Sequence, residues 1–319
     1  MRLKHSLVVP CYNEEGNVKS FLEQAKSAMK GYTEDYEIVF VNDGSKDKTY
    51  AELTDLWNKN RDIRIKVVTF SRNFGKEAAI LAGISNAIGE YITIIDADLQ
   101  QDPVYAVEMA KILDENPDCD VVAAYQKKRK EGLLVSGVKK LFYKLISKAA
   151  GIDFITDASD FRTMRRCVAE TIIALPEYHR FSKGIFAWVG FNTIAMPYEV
   201  KERFSGKTKW SFVKLLKYAL DGIVAYTDLP LKIPFATGIL MILLSIIQLA
   251  IFLYIDFFTE SGVNFSYVTP IVLFVGGIIC MFLGILGYYL GKIHSEVKHR
   301  PIYISKEILS YENNKKTDN

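Results

Sequence analysis

Two long uncharged segments in the C-terminal third constrain the fold of this chain more than any other feature. Phe235–Ile255 contains no charged residue over 21 positions, and Ser261–Leu290 is also uncharged. A bilayer core of about 30 Å is crossed by roughly 20 apolar residues in a helix. Neither segment has the polar face of a helix that packs on a soluble core. We therefore predict two transmembrane helices, over residues 233–256 and 268–291.

The charges that flank these segments predict their orientation. Lys232 precedes the first segment, and Lys292 and Arg300 follow the second. The short connection between the segments carries Asp256 and Glu260 but neither lysine nor arginine. Because positive residues concentrate on the cytoplasmic side of a membrane, we expect both ends of the chain in the cytoplasm. This orientation predicts a multi-pass membrane protein whose large N-terminal part and C-terminus both lie in the cytoplasm.

Residues 1–230 have the pattern of a cytoplasmic α/β domain, in which short apolar strands alternate with helices. The predicted strands cover residues 3–10, 36–41, 64–70, 91–95 and 121–124. The predicted helices cover residues 14–30 (with Asn13 as the cap), a segment from about 47, and residues 76–88 and 103–115. This alternation implies a mostly parallel, doubly wound sheet. Residues 231–292 are then the membrane region, and residues 293–319 a cytoplasmic tail.

Polar clusters follow the first four predicted strands. They are Tyr12–Glu14, Asn42–Ser45, Ser71–Glu77 and Asp96–Asp102. One such cluster could be an ordinary loop. In an open α/β sheet, however, ligands bind outside the carboxyl ends of the strands. The four clusters together therefore predict a nucleotide site along one edge of the sheet.

The cluster after the fourth strand also has the composition of a divalent-metal site. Asp96, Asp98 and Gln100 offer the oxygen ligands that Mg²⁺ and Mn²⁺ prefer, and substrate phosphates would complete the coordination. We interpret Asp102 differently, as the cap of a helix that begins at Pro103. The segment is therefore a candidate site for a metal ion and a diphosphate.

A second Asp-x-Asp pair shows why position matters. Asp118 and Asp120 precede the apolar run Val121–Ala124, so they lie at the entry of a predicted strand. Connections at strand entries run over the surface, where carboxylates are common. We interpret this pair as a solvated turn.

Composition and missing motifs exclude several other classes of protein. A net charge of +3 is too small to indicate a nucleic-acid-binding protein. No G-x-G-x-x-G follows the first strand, and Lys201 stands where a P-loop ending at Gly206–Thr208 would need glycine. The four cysteines have no paired spacing, which favours a reducing compartment, and the charged N-terminus is not a signal peptide. A sugar nucleotide held through a metal fits these observations better than a dinucleotide.

Two amphipathic segments are predicted to lie at the membrane surface. In residues 133–150, the row Lys140, Lys144 and Lys148 lies on a different helical face from the apolar residues. This pattern suits a helix at an anionic membrane, although a solvated charged face explains it equally well. Residues 210–226 form a second amphipathic helix that leads into the first span.

Seven motifs in a fixed order indicate a known family. They are residues 10–14, 42–45, 71–77, 96–100, 159–162, 179–181 and 187–190. With them the chain resembles the polyprenyl-phosphate glycosyltransferases of glycosyltransferase family 2, of the bactoprenol glucosyltransferase type and related to dolichol-phosphate mannose synthase. The resemblance extends from about Leu7 to Ile304. It implies a Rossmann-like GT-A catalytic domain, two C-terminal membrane helices and a homotetramer.

The resemblance also implies the residues that contact the donor substrate. Those expected to bind the nucleotide sugar are Pro10, Tyr12, Glu14, Asn42, Asp43, Lys76, Asp96, Ala97 and Asp98. Those expected to hold Mg²⁺ or Mn²⁺ are Asp96, Asp98 and Gln100. Many relatives carry aspartate where this chain has Asn42, but an amide can still bond to a base or a ribose.

By the same resemblance, Asp160 is the catalytic base of an inverting displacement. The acceptor, however, is a phosphate monoester with a second pKa of about 6, so it is mostly dianionic at pH 7. Bringing this anion to a diphosphate requires cations more than a base. The candidate cations in catalysis are Arg180, Arg203, Lys207 and Lys209. We expect Asp160 to orient the acceptor or these cations as much as it takes a proton.

The acceptor phosphate has its own predicted contacts. These are Arg162, Arg203 and, on the loop after the fifth strand, Arg129 or its neighbours Lys127 and Lys128. Two of the proposed cations also have simpler interpretations. Arg180 could cap a helix, and Lys209 could be an ordinary surface residue.

The predicted reaction is inverting transfer of a hexose, with glucose favoured, from a UDP-sugar to undecaprenyl phosphate at the cytoplasmic face of the membrane. The product would be a lipid-linked sugar donor for cell-envelope glycans. Transfer of N-acetylglucosamine, galactose or mannose is the nearest alternative. A processive polysaccharide synthase is disfavoured because the chain has no Q-x-x-R-W. A catalytically inactive scaffold or sugar-nucleotide sensor is a more distant alternative.

Overall fold

A computed structural model describes residues 3–126, 158–200 and 268–311, with isolated helical positions between 237 and 257. Its strands are β1 His5–Cys11, β2 Tyr36–Asn42, β3 Arg64–Phe70, β4 Tyr91–Ile94, β5 Val121–Gln126, β6 Ala158–Arg165, β7 Thr193–Tyr198 and β8 Ser305–Leu309. Its helices are α1 Asn17–Lys30, α2 Thr49–Lys59, α3 Lys76–Asn86, α4 Pro103–Glu115, α5 Arg166–Ala174, α6 Ser182–Trp188 and α7 Val268–Val297.

The strands form one sheet in the order β7-β5-β6-β4-β1-β2-β3-β8. Strands β4, β1, β2 and β3 are parallel, and β5 is parallel to β7. Strand β6 runs antiparallel between β4 and β5, and β8 runs antiparallel along β3. The prediction of a mostly parallel α/β sheet is confirmed. The sequence patterns did not predict β6, β7 or β8.

The core lies on both faces of the sheet because side chains alternate along each strand. In β1, Leu7 and Val9 belong to one buried apolar cluster, and Val8 belongs to the other. Helices α1 and α4 pack together on the first face, while α3 and α5 pack together on the second. With both faces covered, the carboxyl ends of the parallel strands remain as the edge where polar side chains can collect.

Each predicted strand and helix of residues 3–124 is confirmed, and the largest difference in a boundary is at the start of α1. The bounds of β3 and α4 match the prediction, and Asp102 caps α4 by accepting a hydrogen bond from the Val104 N–H at 3.0 Å. The predicted cap at Asn13 is wrong, because α1 begins at Asn17 after Gly16 and has no side-chain cap. Asn13 has a φ of 53°, and its Oδ1 accepts instead from the Lys46 N–H.

Other boundaries differ from the predicted ones by one or two residues, including those of β1, which covers His5–Cys11 rather than 3–10, and the ends of β2 and β4. The second helix begins at Thr49 rather than near residue 47, and α3 ends at Asn86 rather than 88. Strand β5 continues to Gln126, two residues beyond the predicted end. The ends of helices and strands fray, so their last one or two residues depend on tertiary contacts that the hydrophobic pattern of the sequence does not contain.

One helix in the described part of the chain, Phe274–Val297 within α7, is long and apolar enough to cross a membrane, judged by length and composition. It corresponds to the second predicted span. Apart from isolated positions, the first predicted span lies outside the described residues, as do the predicted surface helices at 133–150 and 210–226. The two-helix membrane region is therefore still a prediction.

After α7 the chain returns to the sheet. Strand β8 pairs with β3, and the Ser71 N–H donates to the Ile304 carbonyl at 3.0 Å. The Tyr303 ring stacks on Phe70 with 4.9 Å between ring centroids. Part of the segment predicted to be a tail is thus an edge strand of the catalytic sheet.

Candidate active site

The polar clusters predicted at four strand ends meet at one edge of the sheet. The register pairs Cys11 with Asn42, and the Asp43 N–H donates to the Cys11 carbonyl at 2.9 Å, so the first two clusters lie side by side. The third cluster packs directly on the second. A Cβ at Gly44, whose φ is +61°, would overlap the backbone of Arg72. Only glycine permits both this conformation and this approach.

Asp43 holds the Ser71–Glu77 loop in place. Its carboxylate accepts from the Phe74 N–H at 2.6 Å, the Gly75 N–H at 3.0 Å and Asn73 Nδ2 at 2.9 Å. Burial raises the pKa of Asp43, and the Phe74 and Gly75 N–H groups oppose that rise. The carboxylate predicted to contact the nucleotide is therefore also an anchor for the loop.

The neighbouring predicted nucleotide residues are positioned by similar local bonds. Asn42 is buried, and its Oδ1 accepts from the Ser45 N–H at 3.1 Å. The Glu14 carboxylate accepts from Asn17 Nδ2 at 2.7 Å. Pro10 and Tyr12 are half-buried at the same strand end. These residues line the edge at which we expect the nucleotide.

Lys76 joins two acidic residues from different parts of the chain. Its Nζ lies 2.8 Å from Asp96 Oδ1 and 3.1 Å from Asp160 Oδ2. The pairing of β4 with β6 explains the meeting, because Ile94 opposes Arg162, and Asp96 and Asp160 each lie two positions from that pair at the same end of the two strands. The structure thus brings a predicted metal ligand, a predicted base and a lysine of the third cluster into one site.

The charges of this site stabilise one another. Burial disfavours the ammonium of Lys76, but the Asp96 and Asp160 carboxylates outweigh it and raise the pKa of Lys76. Burial also works against ionised Asp160, yet Lys76, Lys183 and Arg162 together lower its pKa. Asp160 Oδ1 is buried and has no hydrogen-bond partner among the described residues. An ionised oxygen in this position is suited to receive a donor group or a cation from a substrate.

The segment after β4 turns tightly around Asp96. Gln101 Oε1 accepts from the Asp96 N–H at 3.0 Å, and Asp98 Oδ1 accepts from the Gln100 N–H at 3.2 Å. Ala97 is buried, and Leu99 has a φ of 61°. The turn places Asp96, Asp98 and Gln100 at the carboxyl end of the strand, as predicted.

The donor set at this turn fits a cation that substrate phosphates would complete. Across the described residues, no group of three or more His, Cys, Asp or Glu side chains is arranged to hold a metal alone. Mg²⁺ is commonly held by one or two carboxylates, with phosphates and water supplying the other ligands. The ammonium of Lys76, 2.8 Å from Asp96 Oδ1, shows that this carboxylate already attracts one positive charge.

Glu77 and Arg162 extend the charged cluster behind Asp160. The Glu77 carboxylate accepts from both the backbone N–H and the hydroxyl of Ser182, at the start of α6. Burial and the Asp160 charge raise the pKa of Glu77. The sequence placed Glu77 in a motif but gave it no role, because its partner Ser182 is 105 positions away.

Arg162 is buried and faces an aromatic ring. Its guanidinium carbon lies 3.6 Å from the Phe186 ring centroid, and Nη2 donates to the Ser159 carbonyl at 3.0 Å. Burial lowers the pKa of Arg162 to about 10, against the opposing effect of Asp160 and Glu77. Arg162 therefore stays cationic at pH 7 and lowers the pKa of Asp160 from within the domain, while its predicted contact with the acceptor phosphate is still a prediction.

Arg180 bonds to a helix end and not to the acidic residues of this cluster in the contacts that the structure describes. Its guanidinium donates to the Leu175 carbonyl at 3.0 Å and to the Ile172 carbonyl at 2.9 Å, which caps the end of α5. The alternative interpretation as a capping residue is thus the one that the geometry supports. The other predicted cations, Arg129, Arg203, Lys207 and Lys209, lie outside the described residues.

The second Asp-x-Asp pair behaves as a surface turn. Asp118 is exposed, and Asp120 Oδ2 accepts from the Asn192 N–H at 3.1 Å. This turn joins the start of β5 to the segment before β7. The interpretation as a solvated turn is confirmed.

The comparisons with known proteins agree with this architecture. The family model of glycosyl transferase family 2 matches residues 6–173. The uncharacterized glycosyltransferase YkcC of Bacillus subtilis (strain 168) is 39% identical, over 98% of this chain and 96% of its own length. A prophage bactoprenol glucosyl transferase homolog of Escherichia coli (strain K12) is 36% identical, over 96% of this chain and 99% of its own length.

A solved structure supports the fold independently. Glucosyl-3-phosphoglycerate synthase from Mycobacterium tuberculosis, in complex with Mn²⁺, UDP and phosphoglyceric acid, aligns with a TM-score of 0.51 and 17% identity. The alignment covers 70% of this chain and 76% of that chain. The predicted GT-A architecture of the catalytic domain is thereby confirmed. The chain belongs to glycosyl transferase family 2 and is a glycosyltransferase.

Proposed function

We propose that this glycosyltransferase moves a hexose, in the first instance glucose, from a UDP-sugar to a polyprenyl phosphate, with inversion at the anomeric carbon. Relatives named bactoprenol glucosyl transferase, which align over nearly the whole chain, support the lipid acceptor and the sugar. A solved structure of the same fold with Mn²⁺ and UDP-glucose is compatible with a nucleotide-sugar donor. The observation that carries the proposal is the meeting of Asp96, Asp160 and Lys76 at one strand edge.

The donor would lie along the edge formed by the first four polar clusters. Pro10, Tyr12 and Asn42 would contact the uridine, and Asp43 would hold the loop that closes over it. Asp96 and Asp98, with Gln100, would hold Mg²⁺ or Mn²⁺. When bound, the metal neutralises charge on the departing diphosphate. Lys76 is close enough to Asp96 to add a second positive charge there.

The acceptor would approach Asp160. Because a phosphate monoester has a second pKa of about 6, most of it needs no base at pH 7. The principal obstacle is repulsion between two anionic substrates, which positioned cations reduce. We propose that Asp160 holds Lys76 and orients the acceptor, with Arg162 balancing its charge from behind. Arg129 and Arg203 remain proposed contacts of the acceptor phosphate, and Arg203, Lys207 and Lys209 remain proposed catalytic cations.

The setting for this reaction is the cytoplasmic face of a bacterial membrane. Helix α7 has the length and composition to span a bilayer, and the chain after it returns to the catalytic sheet as β8. The catalytic domain and the segment after α7 would therefore lie on the same side. A second span over residues 233–256 and assembly into a homotetramer are parts of the same proposal.

The test is release of UDP by purified membranes that contain the full chain. We expect Mn²⁺- or Mg²⁺-dependent release from UDP-glucose only when undecaprenyl phosphate is added, together with a labelled glycolipid product. A panel of UDP-sugars identifies the sugar. The Asp96→Asn variant should lose the metal-dependent rate, whereas Asp118→Asn, in the surface turn, should retain it. Absence of a glycolipid with every sugar and both metals would refute the proposal.

A further inference from the structure

A cavity of about 440 Å³ lies next to the candidate active site. Its walls come from three separate parts of the chain, namely the Arg72–Gly75 loop with the start of α3, the Tyr178–Phe181 segment, and Lys292 with Ile302. Among the residues that the structure describes, none of those predicted to bind the nucleotide or the metal lines this cavity. The cavity therefore needs an explanation of its own.

The walls of this cavity carry an excess of positive charge. Arg72, Arg180 and Lys292 contribute three cationic groups, while the acidic residue of the walls is Glu77, whose carboxylate accepts hydrogen bonds from Ser182. The Arg72 guanidinium stacks 4.1 Å from the Phe74 ring centroid and donates one bond to the Asn73 carbonyl. A guanidinium has five N–H donors, so this arrangement leaves capacity to bind an anion.

The cavity lies where α7 reaches the membrane surface. Lys292 is the first charged residue after the uncharged segment 261–290. The helical rise from Val268 to Lys292 is about 36 Å, which spans a hydrocarbon core of about 30 Å. In a membrane-spanning α7, Lys292 therefore lies at the level of the lipid phosphates. The apolar side chains of Phe74, Phe181 and Ile302 in the walls would suit the start of a hydrocarbon chain.

The walls are joined by specific bonds. Glu296, one turn after Lys292, accepts from the Tyr178 N–H at 3.0 Å and from the His179 N–H at 3.2 Å. On the other side, the Ser71 N–H donates to the Ile304 carbonyl at 3.0 Å. The end of α7 is thereby attached to the Tyr178–Phe181 segment, and the chain that follows α7 is attached to the loop at Ser71. These hydrogen bonds fix the shape of the cavity.

We propose that this cavity binds the phosphate of a membrane lipid through Arg72 and Lys292, with the first carbons of the lipid chain against Phe74 and Ile302. The inference rests on the proposed function, because it places a lipid phosphate beside the α3 start that carries Lys76. Two lipids share this chemistry. One is the phosphate monoester acceptor, and the other is an anionic phospholipid of the bilayer.

The test compares the full chain with its Arg72→Gln/Lys292→Gln variant in neutral detergent. Affinities for geranylgeranyl phosphate and for phosphatidylglycerol are measured by thermophoresis, without any sugar nucleotide. Loss of two charge-assisted contacts should weaken binding about tenfold or more. Lys298→Gln, which removes an exposed charge just beyond α7, is the matched control and should bind as the parent does.

Each result decides the inference. Weaker binding of geranylgeranyl phosphate identifies the acceptor as the ligand, and weaker binding of phosphatidylglycerol alone identifies the bilayer lipid. Unchanged affinity for both lipids overturns the inference. If the double variant has a lower unfolding midpoint, Arg72→Gln alone repeats the test, since this side chain is exposed. UDP release by the parent reports on the proposed function separately, so the two can fail independently.

Discussion

Asp160 Oδ2 lies 3.1 Å from Lys76 Nζ, and this ion pair connects the start of α3 with β6 across the edge of the sheet. The same ammonium contacts Asp96 at 2.8 Å. One lysine therefore holds together two carboxylates that would otherwise repel each other. Because both are partly shielded from water, their mutual repulsion would be weakly screened. The arrangement gives Lys76 a central role in the proposed chemistry.

Replacing Lys76 should separate structure from catalysis. We expect Lys76→Met to lower the rate of UDP release about 100-fold, a typical loss when one positioned donor to a developing charge is removed. Lys76→Arg retains the charge and should keep part of the rate. Lys46→Met, in an exposed turn, is the control. A normal rate in Lys76→Met would show that the ammonium takes no part in transfer.

The role of Asp160 can be tested through the pH profile. We expect Asp160→Asn to transfer sugar slowly but to keep the rise in rate around pH 6, because that rise reflects ionisation of the acceptor phosphate. Weaker binding of the acceptor should accompany the slower rate. Initial rates from pH 5 to 8 and acceptor titrations provide both measurements. Complete loss of turnover with intact acceptor and metal binding would instead restore Asp160 as the base.

Asp43 should contribute to stability as well as to the site. Asp43→Asn leaves one carbonyl oxygen where two carboxylate oxygens accept three N–H groups, and its own NH₂ then faces those donors. We expect a loss of about 2–3 kcal/mol in unfolding free energy, the usual cost of unsatisfied buried groups. Thermal unfolding measures it, with Asp118→Asn as the exposed control. Equal midpoints for the two variants would contradict the anchoring role.

Buried His5 should make the fold sensitive to acid. Its Nε2 lies 2.7 Å from Thr93 Oγ1 in β4, and burial, with a smaller effect of Lys4, lowers the pKa of His5 to about 3. The unfolded chain binds a proton near pH 6.5, whereas the folded chain does not until about pH 3. The protein therefore has its full unfolding free energy, as far as His5 is concerned, above pH 6.5. Below pH 6.5 the unfolding free energy falls by about 1.4 kcal/mol per pH unit.

The measurement is the unfolding midpoint between pH 7.5 and pH 5. We expect His5→Gln, which can still bond to Thr93, to make the unfolding free energy less dependent on pH. The loss is the contribution of one proton, about 1.4 kcal/mol per pH unit below pH 6.5. His299→Gln, at an exposed position, should keep the dependence of the parent. If both variants follow the parent, the acid sensitivity has another origin.

The sequence by itself determined the central strands, because alternating burial on two covered faces leaves long apolar runs that end in polar clusters. It also determined the cap at Asp102, since aspartate before proline at a helix start is a local signal. The Asp96 turn and the apolar helix α7 were recognisable for the same reason. Each of these features depends on residues that are close together in the chain.

The tertiary structure decided the features that join distant parts of the chain. Nothing local to Ser305–Leu309 indicates that it pairs with β3, and nothing local to Glu77 indicates Ser182 as its partner. Arg180 is a residue type that commonly contacts phosphate, but in the fold it donates to two carbonyl groups at the end of α5. The meeting of Lys76 with Asp160 likewise depends on the antiparallel register of β6 beside β4. Hydrophobic periodicity reports which face of an element is buried, whereas only the packed fold decides which side chains then come within bonding distance.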